Sequence, residues 1–333
     1  MNILTINAGS SSIKASLFSD DGRKDFRYTN VSDQKDAFKQ LMSDLNGEKV
    51  DIVGHRFVHG GDATESARLV TPEEYDRLNN ILHLAPLHMP SNILGLELCR
   101  TMFDVPQIAC FDTAFHRKMP ELSKRVPIPT YLGFEKFGFH GLSYSYIASQ
   151  LPNWLDENSR KKVVVAHLGS GSSLCLMENC KSVDTTMGYT PAGGIPMGTR
   201  SGDIDPGIMI ELAKDNTPRQ LRNIIFKMSG LKALSNGESD DMQKLLMSYT
   251  DDAKFAVDYF CREVRGAIGS LAAKAGGIDA LVFTGGIGEN SQIIRDKISK
   301  PLYHFLVSEV IVIPTDEELM IRNLCVALNS ILN

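Results

Sequence analysis

The sequence lacks any long run of apolar residues. Among its 333 residues, no apolar stretch approaches the ~20 residues that a membrane-spanning helix requires. The N-terminus begins with a strand pattern and lacks a basic region followed by a long apolar stretch, so we expect no signal peptide. These absences predict a cytoplasmic protein that has no membrane partner.

Paired cysteines and an excess of positive charge are also missing. The six cysteines are scattered and form no C-x-x-C pair, which argues against a zinc ribbon. Most have apolar neighbours, as expected for small buried residues in a reducing cytosol. The formal net charge of −5 offers no bulk attraction to nucleic acid, so we expect no nucleic-acid partner. The length is sufficient for two domains.

Residues 2–18 predict a strand, a short turn and a second strand. The apolar run 3–6 and the alternating pattern 13–17 fit two strands. The turn between them is rich in glycine and serine, so backbone N–H groups and hydroxyls can approach a phosphate closely. The spacing of a Walker A loop is absent.

The same pattern recurs over residues 163–176. Two copies of a possible phosphate-binding hairpin suggest duplicated domains with a nucleotide in the cleft between them. The alternative is that both are ordinary hairpins with flexible turns. The polar residues Asn7 and His167, at matching entries to the two turns, favour the nucleotide interpretation.

Two charged residues stand next to apolar strands. Arg56 lies inside an apolar strand near a Gly-Gly turn and needs an anionic partner, either a ligand or an Asp of the protein itself. Asp112 follows a buried strand, where α/β proteins place functional groups, although a helix cap is an alternative. His55 and His59 are four residues apart in a strand and turn, which argues against a metal-binding pair.

Residues 184–207 predict a long loop. Long loops inside compact domains are usually functional, and Arg200 within this one could reach an oxyanion. We expect four apolar residues of the loop to be buried: Ile195, Met197, Ile204 and Pro206.

Periodicity and capping residues predict the regular elements. We expect helices over 33–45, 92–102, 143–150 and 252–275, and strands over 105–111, 280–283 and 310–313. Residues 50–61 predict a further strand that ends in a glycine turn. A glycine-rich turn over 284–291 follows one of these strands and is compatible with a nucleotide.

Nine stretches match, in order, the motifs of one known family: NAGSSSIK, GHRFVHGG, FDTAFH, FGFHG, HLGSGSS, MGYTP, MGTRSGDIDPG, FTGGIGENS and PTDEEL. With them the sequence resembles the acetate kinase family, within the superfamily of acetate and sugar kinases, Hsp70 and actin. The resemblance implies an α/β fold of two duplicated ribonuclease-H-like or actin-like domains with a nucleotide cleft between them. It places the first domain at 1–142 with 318–333, and the second, with nucleotide binding and a dimer interface, at 143–317.

The resemblance implies reversible phosphoryl transfer between ATP and acetate or propionate, with Mg²⁺, in a homodimer. It assigns catalytic roles to Asn7, Arg56, Asp112, His140 and Arg200, and metal contacts to Asn7 and Glu317. The implied substrate pocket consists of Arg56, Val58, Leu87, Phe139 and Pro191. The implied nucleotide contacts are Ser10, Ser12, Lys14, His167, Gly169, Ser170, Gly171, Asp241, Gly285, Gly286, Ile287, Gly288 and Asn290.

The sequence also departs from the family pattern. The chain is shorter, Ser170 replaces the usual Asn, Gln243 replaces an Arg, and Leu142 and Tyr144 replace Thr and His. These changes leave two alternatives open. One is a kinase for a longer or branched acid, or with another donor such as pyrophosphate. The other is a weakly catalytic module that binds a nucleotide and signals by domain closure.

Overall fold

The computed structural model describes residues 1–9, 12–29, 33–303 and 309–332. The chain forms two compact units. The first comprises Met1–Lys118, Phe139–Tyr146 and Asp316–Asn333, and the second comprises Met119–Gly138 and Ile147–Thr315. The largest difference from the expected boundaries is segment 119–138, which we expected in the first domain and which packs within the second unit.

The described residues form eleven strands in two sheets. The first unit contains β1 (Ile3–Ala8), β2 (Ser12–Ser19), β3 (Gly22–Thr29), β4 (Ile52–Phe57), β5 (Ala67–Leu69) and β6 (Gln107–Phe111). The second unit contains β7 (Lys162–Leu168), β8 (Ser172–Glu178), β9 (Lys181–Thr185), β10 (Ala280–Thr284) and β11 (Glu309–Val312).

Thirteen α-helices occur within the same described ranges. They are α1 (Gln34–Leu45), α2 (Pro72–Asn80), α3 (Met89–Met102), α4 (Glu121–Lys124), α5 (Gly141–Trp154), α6 (Pro206–Asp215), α7 (Pro218–Asn223), α8 (Gly230–Leu234), α9 (Met242–Met247), α10 (Asp251–Ala275), α11 (Gly285–Asn290), α12 (Gln292–Ser299) and α13 (Glu317–Leu332). None of these helices combines the length and apolar character needed to cross a lipid bilayer.

The two sheets repeat one topology. The first has the strand order β3-β2-β1-β4-β6-β5, and the second has the order β11-β10-β7-β8-β9. In each, three consecutive antiparallel strands are followed by two parallel strands beside the first of the three. The duplication predicted from the two hairpins is therefore present in the folded chain.

The first sheet is covered on both faces, as the alternation of β1 requires. Leu4 and Ile6 pack in one cluster with Phe38 of α1. Ile3, on the opposite face, packs with Ile321 of α13. Because parallel strands need cover on both sides, these helices complete the core of the first unit.

Gly54 of β4 allows α13 to lie close to the sheet. A Cβ at this position would be 2.5 Å from Cys325 Sγ and 2.6 Å from Ile321 Cγ2. The absence of a side chain at Gly54 thus sets the depth of α13, whose first residue is the predicted metal ligand Glu317.

The second unit is built on the long helix α10, whose predicted bounds are confirmed to within a residue. Phe260 and Val264 of α10 pack with Val164 of β7 and Phe283 of β10 in one buried cluster. Thr250 caps the helix by accepting a hydrogen bond from the Ala253 N–H, and Gly276 ends it in the left-handed conformation.

Burial of the long loop before α6 was predicted only in part. Ile195 and Met197 are 4% and 0% exposed, as expected. Ile204 is 38% exposed and Pro206 is also exposed, so the prediction for these two residues was wrong. Pro206 is the first residue of α6 and Ile204 lies two residues before it, and the buried residues of this unit's core do not include any residue of that helix.

Candidate functional site

Three adjacent strand ends bring polar side chains together in the first unit. Asn7 lies near the end of β1, Arg56 near the end of β4, and Asp112 directly after β6. These strands are parallel neighbours in the sheet, so their carboxyl ends lie at one edge. This edge is where open α/β sheets place their functional groups.

Arg56 is the centre of this group. Its Nε and Nη2 atoms donate to Oδ2 of Asp112 at 2.9 and 2.6 Å. Its Nη1 atom donates to Oδ1 of Asn7 at 3.2 Å and lies 3.4 Å from Oε2 of Glu317. The same Glu317 oxygen accepts a hydrogen bond from Nδ2 of Asn7 at 3.3 Å. Four residues that are far apart in the sequence thus form one network, which we name the Arg56 network.

Burial dominates the electrostatics of the Arg56 network. The Asp112 side chain is 1% exposed. Burial raises the pKa of Asp112 to about 6, with Arg56 lowering it and Glu317 raising it further. Burial opposes the charge on Arg56, but the nearby Asp112 and Glu317 outweigh that effect and raise the pKa of its guanidinium. Arg56 therefore stays positive, while the pKa of Asp112 lies at about 6.

Helix α13 brings more carboxylate groups to the Arg56 network than the single positive charge of Arg56 neutralises. Glu317 is its first residue, and Glu318 follows it. Burial, and then the charge of Glu317, raise the pKa of Glu318, while Lys14 acts in the opposite direction. The first turn of a helix is favourable for carboxylates because of the helix dipole. The excess of carboxylates leaves the network suited to a cation.

Asn92 of α3 is a residue that the sequence analysis missed. It is 4% exposed, donates from Nδ2 to the Ala8 carbonyl at 2.8 Å, and accepts the Val58 N–H at 3.1 Å. It therefore ties together the ends of β1 and β4, which carry Asn7 and Arg56. The signal in the sequence was an amide side chain among the apolar positions of a helix, because a buried polar group needs hydrogen-bond partners.

The loop over residues 139–141 is anchored to the segment that follows β6. Gly141 N–H donates to the Asp112 carbonyl at 2.9 Å, and Nε2 of the buried His116 lies 2.9 Å from the Phe139 carbonyl. His140, between them, has the left-handed φ of 58°. A positive φ is uncommon outside glycine, and these two bonds, one of them to the Asp112 backbone, flank His140 and hold it in a constrained conformation.

The second unit brings the two predicted nucleotide loops together. His167 of β7 pairs with Thr284 of β10 in the parallel register, so the turn after β7 and the helix α11 start at the same edge. Gly285 has φ +76°, and a Cβ there would lie 2.7 Å from the Leu168 carbonyl oxygen. Only a glycine fits this approach. Residues 167–171 and residues 285–290 therefore lie beside each other at one edge of the second sheet.

The other predicted nucleotide residues of this unit lie beside that turn or cap a helix. Gly198 N–H donates to the Ser170 carbonyl at 3.2 Å, and the Asp240 carbonyl packs against Gly198. The Asp241 carboxylate accepts the Lys244 N–H at 2.9 Å as the cap of α9. The bond at Ser170 uses its backbone, so the Ser in place of Asn leaves this contact unchanged.

Arg200 and Pro191 are joined within the long loop. Nη1 of Arg200 donates to the Pro191 carbonyl at 3.1 Å. Backbone bonds from Leu231 to the Met197 carbonyl and from Ser229 to the Thr199 carbonyl hold the loop on either side of Arg200. The loop is thus an ordered platform for its arginine.

The remaining predicted site residues belong to the first unit. Val58 and Leu87 are partly exposed, and Phe139 is 1% exposed. In the first turn, Gly9 N–H donates to the Ser12 carbonyl at 2.8 Å, and Lys14 pairs with Asn7 across the strands. Ser10 lies outside the described residues. The assignments of individual residues to substrate, nucleotide and metal stay predictions.

Comparison with known proteins identifies the family. The family model described as the Acetokinase family matches residues 19–308. The chain belongs to the acetokinase family. The family predicted from the nine motifs is therefore confirmed.

Three relatives illustrate the similarity. Acetate kinase of Rhodopseudomonas palustris is 44% identical over 257 residues, which are 75% of this chain and 64% of that protein. Propionate kinase PduW of Salmonella typhimurium is 39% identical over 328 residues, with 87% of this chain and 81% of that protein covered. A crystal structure of a propionate kinase from Francisella tularensis is similar with a TM-score of 0.87 and 32% identity, covering 97% of this chain and 98% of that one.

The structural comparison also confirms the predicted fold class. This acetokinase-family chain is an α/β protein with two duplicated units, and its fold is that of the Francisella propionate kinase. The match to the Rhodopseudomonas protein spans less than two thirds of the length of that relative.

Proposed function

We propose that this chain is a phosphotransferase that moves a phosphoryl group between ATP and a short-chain carboxylate, acetate or propionate, giving ADP and an acyl phosphate. The observation that supports this most strongly is the Arg56 network in a chain of the acetokinase family. A positive group bonded to a buried carboxylate at a sheet edge suits the binding and transfer of anions.

Phosphoryl transfer to a carboxylate depends more on neutralising negative charge than on a general base. A carboxylate substrate is already ionised at pH 7, and its attack on a phosphate is opposed by negative charge on both partners. Arg56 in the first unit and Arg200 in the second would offset that repulsion, since guanidinium groups bind carboxylate and phosphate oxygens in pairs. Asp112 would orient Arg56 during direct in-line transfer, and His140 would donate to the transferring group.

A divalent cation, which we propose is Mg²⁺, fits the first unit. The side-chain oxygens of Asn7 and Glu317 are ligands that Mg²⁺ prefers. Asp112 Oδ1 and Glu318 Oε1 are buried and have no hydrogen-bond partner among the described residues. In the same residues no group of three or more His, Cys, Asp or Glu side chains could hold a metal by itself. Asn7 and Glu317 would therefore hold the ion together with substrate phosphates, whose charge it would neutralise.

We propose that the nucleotide binds the second unit at residues 167–171 and 285–290. The glycines there allow close approach of backbone N–H groups to phosphate oxygens. Val58, Leu87 and Phe139 of the first unit, with Pro191 of the second, would contact the methyl end of the acid. Val58 and Pro191 support a small acid, although one methylene changes binding by only ~1–3 kcal/mol.

A hydroxylamine-trapping assay tests the activity and its alternatives. Formate, acetate, propionate, butyrate and valerate would each be paired with ATP, GTP or pyrophosphate, and the acyl phosphate measured as hydroxamate. The proposal expects most product from ATP with acetate or propionate. A maximum with a longer acid or with pyrophosphate would reassign the substrate or donor. Nucleotide binding without product from any pair would support the weakly catalytic module.

We also propose a homodimer formed through the second unit. Its support is the exposure of large apolar side chains there: Ile208 is 50%, Ile210 67% and Phe255 56% exposed. Sedimentation equilibrium would measure the mass in solution. The mass of one chain at all concentrations would contradict the proposal, and Ile210→Glu should weaken a dimer that forms through α6.

A further inference from the structure

Glu289 of α11 makes contacts that none of the roles above uses. Its Oε1 atom accepts the Gly285 N–H at 2.8 Å and the Thr315 N–H at 2.9 Å. It also lies 3.4 Å from the Thr284 hydroxyl. One carboxylate oxygen thus joins the first residue of the glycine-rich helix to a residue 30 positions further along the chain.

Thr315 occupies a special place in the chain. It is the last residue of the second unit, and Asp316 is the first residue of the segment that returns to the first unit. Asp316 pairs with Arg23 and accepts the Leu319 N–H at 2.9 Å, which caps α13. The next residue is Glu317, whose carboxylate bonds Asn7 and approaches Arg56. Each of the three consecutive residues is therefore fixed by a different partner.

The other end of the connection is fixed as well. The backbone of Gly285 is closely constrained, because its φ is +76° and the Leu168 backbone lies against it. Nη1 of Arg295 donates to the Gly288 and Glu289 carbonyls at 2.9 and 2.8 Å. The helix α11 is thus held at its start and its end, and a displacement of its backbone must carry the Glu289 side chain with it.

We propose that Glu289 is a positioning residue that links nucleotide occupancy of residues 285–290 to the placement of Glu317. This inference rests on the proposed binding of a nucleotide at that loop. A nucleotide phosphate that orders the Gly285 backbone orders the Glu289 carboxylate, which holds Thr315 two residues before Glu317. Bonds from backbone N–H groups to a carboxylate are charge-assisted and stronger than neutral ones, so the link is firm enough to transmit position.

Amide hydrogen exchange tests the link without catalysis. Exchange over residues 313–319 would be measured with and without ADP, in the absence of metal, for the wild type, Glu289→Ala and Glu289→Gln. Exposed Glu211 of α6, which forms an ion pair with Lys214 one helical turn away, provides the matched control Glu211→Ala. We expect ADP to slow exchange of the Thr315 amide at least about tenfold in the wild type and the control, and less than about twofold in Glu289→Ala. Glu289→Gln keeps an acceptor oxygen and should retain most of the protection.

Kinetics supply a second readout. In Glu289→Ala, kcat should fall about tenfold and the Mg²⁺ concentration for half-maximal rate should rise, while KM for the carboxylate changes less than about twofold. Loss of a residue that only stabilises the fold would not change kcat and the Mg²⁺ requirement while leaving KM for the carboxylate unchanged. Glu289→Gln should recover most of the lost kcat. Equal ADP protection in the wild type and a folded Glu289→Ala would overturn the inference, as would ADP binding that leaves 313–319 unprotected in the wild type.

The two proposals fail in different ways. If the wild type forms no acyl phosphate yet ADP protects residues 313–319 through Glu289, the proposed activity falls and the link stands. If ADP does not bind at all, both fall. If acyl phosphate forms normally in Glu289→Ala with an unchanged Mg²⁺ requirement, the activity stands and the link falls.

Discussion

The guanidinium of Arg56 donates two hydrogen bonds to a single oxygen of Asp112, Oδ2, at 2.9 and 2.6 Å. The other oxygen, Oδ1, is buried and without a hydrogen-bond partner in the described part of the chain. The ion pair with an Asp of the protein itself, one of the two alternatives for Arg56, is thus present, and the partner is Asp112. The pair orients the arginine.

Replacing Arg56 with Ala should lower kcat/KM for acyl transfer by about 10²-fold or more, since it removes charge stabilisation of the transferring group. It should also destabilise the fold, because the buried Asp112 loses its partner. Steady-state kinetics of the folded variant measure the first effect. Arg68→Ala is the control, since Arg68 pairs with the acids Glu65 and Glu74 and has no predicted part in the site. Near-normal kinetics in purified Arg56→Ala would reject the assignment.

Arg200→Ala should likewise reduce kcat/KM by about 10²-fold or more. Arg200→Lys should recover only part of the rate, because an ammonium group cannot reproduce paired guanidinium bonds. The exposed Arg219 of α7 offers a control in Arg219→Ala. If Arg200→Ala and Arg219→Ala gave the same rates, Arg200 would have no part in the reaction.

The raised pKa of Asp112 predicts how the free energy of unfolding depends on pH. Burial raises its pKa to about 6, above the value of ~3.9 for an unfolded chain. The folded protein therefore binds the Asp112 proton more tightly, and the free energy of unfolding falls as pH rises from about 4 to about 6, by up to about 3 kcal/mol. Urea unfolding across this range should show a smaller decline in Asp112→Asn. Identical pH slopes in the two proteins would show that the Asp112 pKa is not raised.

Gly285→Ala should weaken ADP binding by about tenfold and destabilise the fold by ~1–3 kcal/mol. The added Cβ would lie 2.7 Å from the Leu168 carbonyl oxygen, at a φ of +76°. Calorimetric titration and thermal unfolding measure the two effects. Gly266→Ala, inside α10 where a Cβ meets nothing within 4 Å, is the control and should not lose stability. Unchanged ADP affinity in Gly285→Ala would separate this glycine from nucleotide binding.

The elements that sequence predicted best are those with strong local patterns. α10 was predicted as 252–275 and observed as Asp251–Ala275, because its apolar face and its terminal glycine are local signals. The strands β3, β5 and β9 were not predicted. The residues of β3 are mostly exposed, so they carry little of the apolar alternation on which such predictions depend.

Asn92 and Glu289 show why part of the candidate site was not predicted. Each acts by hydrogen bonds to backbone groups that are distant in the sequence, Ala8 and Val58 for Asn92 and Thr315 for Glu289. A backbone N–H or carbonyl has no residue-specific signature, so no motif reveals such a partner. His116, bonded to the Phe139 carbonyl, belongs to the same class.

The sequence by itself determined the family, the duplicated hairpins and the residue types of the candidate site, because spacing and side-chain chemistry are properties of the chain alone. Only the tertiary structure decided that Arg56 binds Asp112, that Glu317 joins Asn7, and that burial raises the pKa of Asp112. These contacts span up to 310 positions in the chain. They form because parallel strands end at one edge and α13 packs against Gly54, and local sequence does not encode either arrangement.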